Sequence, residues 1–320
     1  MEIKRSIALD GNLAPRVWNT LSAVPENIFH HDLHGLRHPR STYTQSINEI
    51  FCLADEVLNS LGETKNSFHW ESKTDSYPKL IKAYQEWLYK LHSHFDVCFS
   101  ILRSLCPKSN DKKKFHTDFL KDVNFPGWES FSQSVYDYKN NRLGVIVNSM
   151  KHRSTRLYGF YFHSISEFRP GYCLWDIRKD GMLGPSEKLH KDGNSGFSFS
   201  RDMMLHIWWL YATGERLAKT IEAAVEVLHQ KKLPYVSAPF IGYELGKTMQ
   251  RIGEIKPEFF PDEISEPYPR IICRKDLQSI CLEFPSTVRG HKIRGNIRIS
   301  GFLSVDAEHR SMKLPYWTGA

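Results

Sequence analysis

The strongest periodic signal in this chain lies in LIKAYQEWLYKLHSHFDVCFSILRSLCP, residues 80–107. Its apolar side chains recur every three or four residues, the spacing that places them on one face of an α-helix. Pro107 ends the run, because proline cannot continue a helix. The stretch therefore predicts a long helix that lies in a core. The apolar positions are Leu80, Tyr84, Trp87, Leu91, Phe95, Cys98, Leu102 and Leu105.

Three other long stretches share this helical spacing. Gly62 follows the first of them and Pro234 follows the last, and both residue types commonly end helices. Together with residues 80–107, these stretches predict an antiparallel bundle of four helices. They are residues 43–61, about 128–150 and 203–228, with a short additional helix near 115–123.

Aromatic and alternating runs predict strands in two places. Residues 157–164 and 172–177 flank a turn signal, RPG at 169–171, which indicates a β-hairpin after the third bundle helix. Near the end of the chain, alternation around Ile297 and Ile299 indicates a small antiparallel sheet. The expected fold class is therefore α+β, an antiparallel helical bundle with an inserted β-hairpin and a small C-terminal antiparallel β-sheet. The C-terminal strand candidates are residues 279–284, 292–305 and 310–317.

Four regions are expected from these patterns. The first has no clear periodicity and several glycines and prolines, which predicts an irregular arm. The bundle comes next, then a proline-rich connection, then the β-rich end. The expected boundaries are 1–42 for the arm, 43–230 for the bundle with its hairpin near 157–177, 231–265 for the connecting segment and 266–320 for the β-rich region.

The composition is that of a globular protein. The chain has 320 residues, of which 41% are hydrophobic and 25% charged, and its net charge is 43 − 36 = +7 with neutral histidines. An excess of basic residues favours an anionic partner such as RNA or another polyanion. The sequence has no apolar run of about 18 residues and no leading apolar segment, so we expect no membrane span and a cytoplasmic location. Six scattered cysteines without a C-x-x-C pair predict reduced core thiols.

The segment VIVNSMKHRSTR (145–156) carries the most specific chemical signal. On a continuous helix, Asn141, Asn148 and His152 project from one side. An imidazole there can accept the proton of a ribose 2′-hydroxyl, and cations can stabilise the transition state at the phosphate. The alternative is that Asn148 and His152 cap helix carbonyls. The neighbouring cations, predicted to contact nucleic acid or to assist catalysis, are Lys151, Arg153 and Arg156.

A helical bundle with the motif N-S-M-K-H at 148–152 resembles the HEPN superfamily, the higher eukaryotes and prokaryotes nucleotide-binding proteins, whose ribonuclease members carry R-N-x-x-x-H. The resemblance covers residues 43–228. Asn148 and His152 match the family's Asn and His positions, whereas Val147 occupies the position of its arginine.

The resemblance implies a metal-independent endoribonuclease without a cofactor, which pairs as a dimer with the motif near the dimer cleft. It also implies a role as a toxin or effector in antiphage defence, in toxin-antitoxin systems or in RNA processing. Inactive relatives serve as binding or scaffold subunits of larger complexes, and the valine at position 147 favours that alternative.

Arg156 and His163 are a second possible frame for the motif, because they match the looser R-x(4–6)-H spacing that the family also uses. The residues between them form a strand-like run. Their separation is odd, so the two side chains are expected on opposite faces of that strand. We therefore prefer the frame that contains Asn148 and His152.

Two further clusters carry weaker predictions. Histidines crowd the segment FHHDLHGLRH (29–38), and His34 and His38 have the spacing of one helix face, so a metal-dependent hydrolase is a minor alternative. The C-terminal basic residues either hold phosphates or protect an edge strand. The possible metal ligands are His30, His31, Asp32, His34 and His38, and the basic residues are Arg289, His291, Lys292, Arg294 and Arg298.

Overall fold

A computed structural model gives the fold. Its helices are α1 (Val17–Ala23), α2 (Pro39–Asn66), α3 (Ser76–Ser104), α4 (His116–Asp122), α5 (Trp128–Tyr138), α6 (Gly144–His152), α7 (Phe199–His229) and α8 (Leu245–Gly253). Its strands are β1 (Ile3–Ala8), β2 (Arg156–His163), β3 (Phe168–Ile177), β4 (Leu183–Pro185), β5 (Phe197–Ser198), β6 (Arg270–Cys273), β7 (Ser279–Phe284) and β8 (Arg298–Gly301). The structure describes residues 3–8, 14–67, 76–107, 115–152, 155–163, 168–190, 196–238, 245–264, 266–273, 279–284, 298–301 and 311–316.

The long helices form the bundle that the sequence predicts. Ser46 contacts His94, and the Trp87 indole donates to the Ile50 carbonyl, so α2 and α3 run antiparallel. The apolar stripe of α3 faces the core, where Trp87 is fully buried. The α+β class, with its helical bundle and antiparallel sheets, is confirmed.

Helix α7 completes the bundle and fixes the order of its neighbours. Its Arg216 donates to the Ser134 carbonyl, and its His206 contacts Tyr138, so α7 runs antiparallel to α5. Asp202 and His206 face Tyr84 and Trp87 in the same order, so α7 runs parallel to α3.

One point of the helix prediction was wrong and another is refined. Gly62 does not stop a helix, because α2 continues through it to Asn66. The helix expected over about 128–150 is present, and its backbone stays helical through a π-helical turn at Lys139–Leu143, between α5 and α6. Both cases lie inside long helices, where packing against neighbours outweighs a single residue's preference.

The strands form two antiparallel sheets. One has the order β1-β7-β6, and the other has the order β4-β3-β2-β8 with β5 paired to β3. The expected single C-terminal sheet is thus divided, because β8 joins the hairpin sheet while β6 and β7 pair with the N-terminal β1. The expected turn at 169–171 is also corrected, since these residues lie within β3.

The first 42 residues are more regular than their composition suggests. They contain β1, α1 and two short 3₁₀ helices, at Glu26–Ile28 and His31–His34. Arg16, just before α1, pairs with Glu215 and Glu222 of α7 and so attaches this segment to the bundle. The segment expected to connect the bundle to the C-terminal strands contains α8.

Candidate nucleic-acid interface

The π-helical turn determines which face α6 presents. The Gly144 N–H donates to the Lys139 carbonyl, five residues earlier. A Cβ at position 144 would lie 1.9 Å from that oxygen, so this turn requires glycine. A π-turn holds an extra residue, which rotates the helix after the turn relative to the helix before it. Asn141 lies within the π-turn, before the part of α6 that carries Asn148 and His152, and all three side chains are exposed.

The last two turns of α6 carry an exposed polar face. Asn148, Lys151 and His152 are exposed, while Ile146 and Ser149 on the other side are buried. Asn148 and His152 are four residues apart in an unbroken helix, so their side chains are neighbours. Within the described part of the chain, neither side chain has a hydrogen-bond partner. The expected amide and imidazole pair is thus exposed to solvent, and neither group caps a helix carbonyl among the described residues.

Position 147 points away from this face. The Val147 side chain is 0% exposed and belongs to the main hydrophobic core. An arginine here would have its guanidinium among apolar side chains rather than beside Asn148 and His152. The valine is therefore the residue that the packing of this helix requires.

Lys151 is held against helix α3. Its Nζ lies 5.5 Å from the centre of the Tyr89 ring, a distance at which a cation and an aromatic face attract. The Tyr89 hydroxyl in turn accepts a hydrogen bond of 2.9 Å from the Gln85 amide. The charge of Lys151 thus has a defined position at the junction of α3 and α6.

A half-buried histidine lies at the same junction. Burial lowers the pKa of His92, and the charges of Lys151 and Lys139 lower it further, while Asp96 opposes them. Lys139 belongs to the π-helical turn, and its Nζ lies 4.8 Å from the Phe99 ring centre. The sequence prediction did not include His92 and Lys139. The available signal was the position of His92 one residue after the core residue Leu91, on the border of the α3 stripe.

The π-helical turn is anchored from the inside by a buried carboxylate. Asp202 of α7 is 0% exposed and forms an ion pair with Arg142. Its Oδ2 accepts hydrogen bonds from the hydroxyls of Tyr84 and Tyr172 at 2.6 and 2.5 Å, and lies 3.0 Å from His206 Nε2. Burial alone would raise the pKa of Asp202, but His206 and Arg142 hold it well below its ordinary value. Sequence patterns gave no indication of this cluster, because its members come from separate elements of the chain.

The remaining predicted residues near α6 are separated. Arg156 begins β2 and is exposed, whereas His163 at the other end of the strand is buried. These positions are on opposite faces, as predicted from their odd separation. Arg153 lies outside the described residues, so its expected role stays a prediction.

The predicted C-terminal basic cluster lies mostly outside the described residues. Arg289, Lys292 and Arg294 fall there, as does His291. Arg298 begins β8, where its backbone is opposite His163 of β2. The phosphate-binding role of this cluster remains a prediction.

The histidine cluster does not converge on a common point. His34 Nε2 lies 2.8 Å from the Cys106 carbonyl, and His38 Nε2 lies 2.9 Å from the Glu26 carboxylate. His31 contacts the edge of the His38 ring. The shared helix face expected for His34 and His38 is wrong, because the 3₁₀ helix ends at His34 and α2 begins after His38.

The neighbouring residues of this segment are also unsuited to a shared metal. His30 stacks on His229, with ring centres 5.7 Å apart, and Asp32 lies 3.6 Å from His31. Among the residues that the structure describes, no three histidine, cysteine, aspartate or glutamate side chains are grouped to hold a metal ion.

Comparison with known proteins gives no relative from which to transfer a function. No family model, curated protein or solved structure matches this chain. None of the described helices is long and apolar enough to cross a membrane. Any functional assignment therefore depends on the chemistry of the α6 face itself.

Proposed function

We propose that this protein is a HEPN-like RNA-engaging protein that contacts RNA through the exposed end of α6. The observation that supports the proposal is the solvent-exposed pair of Asn148 and His152, one turn apart, next to the charge of Lys151. An amide, an imidazole and an ammonium group together provide hydrogen-bond donors and positive charge for a phosphodiester. The net charge of +7 favours the approach of a polyanion.

The same face has the groups that a metal-independent ribonuclease step uses. The His152 imidazole accepts the proton of the ribose 2′-hydroxyl as the 2′-oxygen forms a bond to phosphorus. The bond from phosphorus to the 5′-oxygen then breaks, and that oxygen takes up a proton from solvent water. Asn148 donates to a phosphate oxygen, while Lys151 balances the negative charge that develops on the phosphate. The products are a cyclic 2′,3′-phosphate and a 5′-hydroxyl.

A second function is binding without cleavage, within a complex of several subunits or as a homodimer. The burial of Val147 favours it, because the family's arginine position cannot supply a charge to the phosphate from the core. In that case Asn148 and His152 position RNA or a protein partner, and the chain acts as a scaffold.

Purified protein incubated with total RNA and tRNA tests the cleavage step. We expect His152→Ala and Asn148→Ala to stop cleavage while leaving the fold intact, because both side chains are exposed. Equal degradation by the wild type and His152→Ala would eliminate the catalytic role. The cyclic phosphate end, detected by mass spectrometry, identifies the proposed route.

Fluorescence anisotropy with a labelled RNA oligomer tests binding separately. We expect the affinity of the wild type to fall steeply with salt, and Lys151→Gln to reduce the slope of log K against log salt by about one. Lys82→Gln is the matched control for Lys151→Gln. Lys82 is exposed on α3, about 10 Å by helical rise from Tyr89, the ring beside Lys151. Binding without cleavage would select the second function, and absence of RNA binding at low salt would eliminate both RNA roles.

The implied role in defence adds a cellular test. If the chain is a toxin or effector that acts in the cytoplasm, its expression should arrest growth, and His152→Ala should relieve the arrest at equal protein level. Equal arrest by both proteins would remove the toxin assignment without affecting RNA binding in solution.

A further inference from the structure

A cavity of about 560 Å³ lies between helix α1 and the first turns of helix α2 and opens to solvent. Its volume is in the range of pockets that hold small molecules, about 300–1,000 Å³. Trp18 of α1 lines one side, and its indole N–H donates to the Ala238 carbonyl at 3.2 Å. Because that hydrogen bond holds the ring in place, the cavity has a preformed aromatic wall.

Neutral polar side chains of α2 line the other side of the cavity. They recur at the spacing of one helix stripe, and they are Ser41, Thr44, Gln45 and Asn48. The Gln45 amide is already engaged, because it donates to Glu49 and accepts from Arg37. Among the described residues, the Ser41 and Thr44 hydroxyls have no hydrogen-bond partner. These two hydroxyls can therefore donate to a ligand or accept from it.

The charged residues at the cavity are neutralised by partners of opposite sign. Arg40 donates to the Glu26 carboxylate at 2.6 Å, and Glu49 pairs with Lys90 of α3. The lining therefore has little net charge of its own. Such a cavity selects a ligand by its shape and its hydrogen bonds, and it suits a neutral ring.

We propose that this cavity binds a purine base. The flat bicyclic ring stacks on the Trp18 indole, and its edge exchanges hydrogen bonds with the Ser41 and Thr44 hydroxyls. A sugar ring is a poorer match, because its many hydroxyl groups need more partners than these two side chains supply. The base comes either from a free nucleoside or from an unpaired nucleotide of RNA.

Helix α3 connects the cavity to the exposed face of α6. Lys90 pairs with Glu49 at the cavity, and the ring of the preceding residue, Tyr89, has the Lys151 ammonium 5.5 Å from its centre. Packed helices lie about 8–10 Å apart, so the cavity and Lys151 are separated by about two such spacings. A short single strand of RNA can span that distance. Only this second source of the base rests on the proposed function.

Equilibrium dialysis with adenosine tests the cavity by itself. We expect Trp18→Ala to weaken adenosine binding about tenfold or more, because it removes the stacking surface, and Trp18→Phe to retain most of the affinity. Absence of adenosine binding to the wild type, or unchanged binding to Trp18→Ala, would overturn the proposal. An equal loss in both variants would assign the indole a structural role and would contradict stacking.

A threonine pair decides the question even if Trp18→Ala does not fold. Thr44→Val removes one hydroxyl with little change of shape and should weaken adenosine binding about threefold to tenfold. Thr117→Val is the matched control, because Thr117 is also half-buried but lies on α4, away from the cavity lining. The same affinity in these two variants would contradict the assigned hydrogen bond and the purine site with it.

Saturation-transfer NMR identifies the part of adenosine that enters the cavity. The two carbon-bound protons of the adenine ring should receive more saturation from the protein than the ribose protons, because the base is the buried part. Glucose in excess should not displace adenosine. Stronger saturation of the ribose, or displacement by glucose, would overturn the assignment to a base.

An RNA oligomer with unpaired adenines separates the two sources of the base. If RNA is the source, Thr44→Val should weaken binding of the oligomer as it weakens binding of adenosine. Adenosine binding by a wild type that does not bind RNA would keep the cavity as a site for free nucleosides and remove the RNA role. RNA binding that depends on Lys151, without adenosine binding, would keep the RNA role and overturn the cavity proposal.

Discussion

The guanidinium of Arg142, in the π-helical turn, is paired with the carboxylate of Asp202, which lies near the start of helix α7 on its buried face. The guanidinium carbon also lies over the Phe197 ring, 4.1 Å from its centre. This pair connects the turn that sets the orientation of α6 to the core of the bundle. Arg142 thus links the exposed face of α6 to the buried cluster around Asp202.

The first prediction concerns removal of one partner of this pair. Arg142→Met should lower the free energy of unfolding by about 3–5 kcal/mol, because it leaves the buried Asp202 charge without its guanidinium partner. Asp202→Asn should also lower the free energy of unfolding. In the double variant, that free energy should fall by less than the sum of the two single decreases. Urea unfolding of the four proteins measures the coupling, and strict additivity would contradict the interpretation.

The second prediction uses two helical glycines with opposite surroundings. Gly144→Ala should destabilise the protein and weaken RNA binding, because its methyl group would overlap the Lys139 carbonyl. Gly62→Ala should stabilise by about 0.5–1 kcal/mol, because nothing lies within 4 Å of the added carbon and alanine is the better helix former. Thermal unfolding and RNA anisotropy of both variants provide the measurement. Equal effects at the two sites would argue against a π-turn that requires glycine at position 144.

The third prediction concerns a buried carboxyl group. Glu263 is 2% exposed, and burial raises its pKa to about 7, although Arg201, the Ser198 hydroxyl and the Phe260 N–H oppose the rise. Between the unfolded pKa, near 4.5, and about 7, the folded protein binds more protons than the unfolded one. Stability therefore falls as pH rises through this window, by about 3 kcal/mol from this group, and the group adds no further pH dependence above the window.

Unfolding free energies at mildly acidic, neutral and mildly alkaline pH measure this dependence. Glu263→Gln should flatten the decline, since glutamine does not ionise. Glu254→Gln is the matched control, because Glu254 is exposed and accepts a hydrogen bond from Gln250, which is not a partner of Glu263. A slope that survives in Glu263→Gln would assign the pH dependence to another group.

The fourth prediction addresses the family's missing arginine. Val147→Arg should destabilise by several kcal/mol rather than confer cleavage, because position 147 is fully buried. Asn148→Arg, at the exposed neighbour, should fold normally and should bind RNA more tightly through its added charge. A stable Val147→Arg protein that gains ribonuclease activity would show that position 147 can turn outward.

Features that depend on the local spacing of apolar residues could be predicted from the sequence. Features that depend on contacts between residues far apart in the chain were missed. The α3 stripe that includes Trp87 and Leu91 is buried as its spacing indicates. Pro170 and Gly171 indicate a turn, yet they lie in β3, where a Cβ at Gly171 would meet the Phe260 ring at 2.2 Å. That requirement comes from a residue far along the chain. The exposed pair Asn148 and His152 could be predicted because one helix turn positions both.

The neighbours of that pair could not be predicted in the same way. His92 comes close to Gly144, at the end of the π-helical turn, only when α3 packs beside that turn, and Arg142 of the turn pairs with the buried Asp202 of α7. The spacing of residues in the sequence indicates which face of a helix each one lies on, but not which residues of other elements contact it. One helix positions Asn148 and His152, and the packing of other elements against that helix supplies the rest of the candidate site.

The pairing of β1 with β7 has a consequence for biosynthesis. Ile3 lies opposite Phe284, so β1 cannot pair with β7 until residue 284 has been translated. The bundle helices from α2 to α7 emerge in between and can pack with one another first, because domains fold as their segments become available. We therefore expect the β1–β7 pairing to form after the bundle, and a translation product that stops before residue 279 to leave β1 as an unpaired edge.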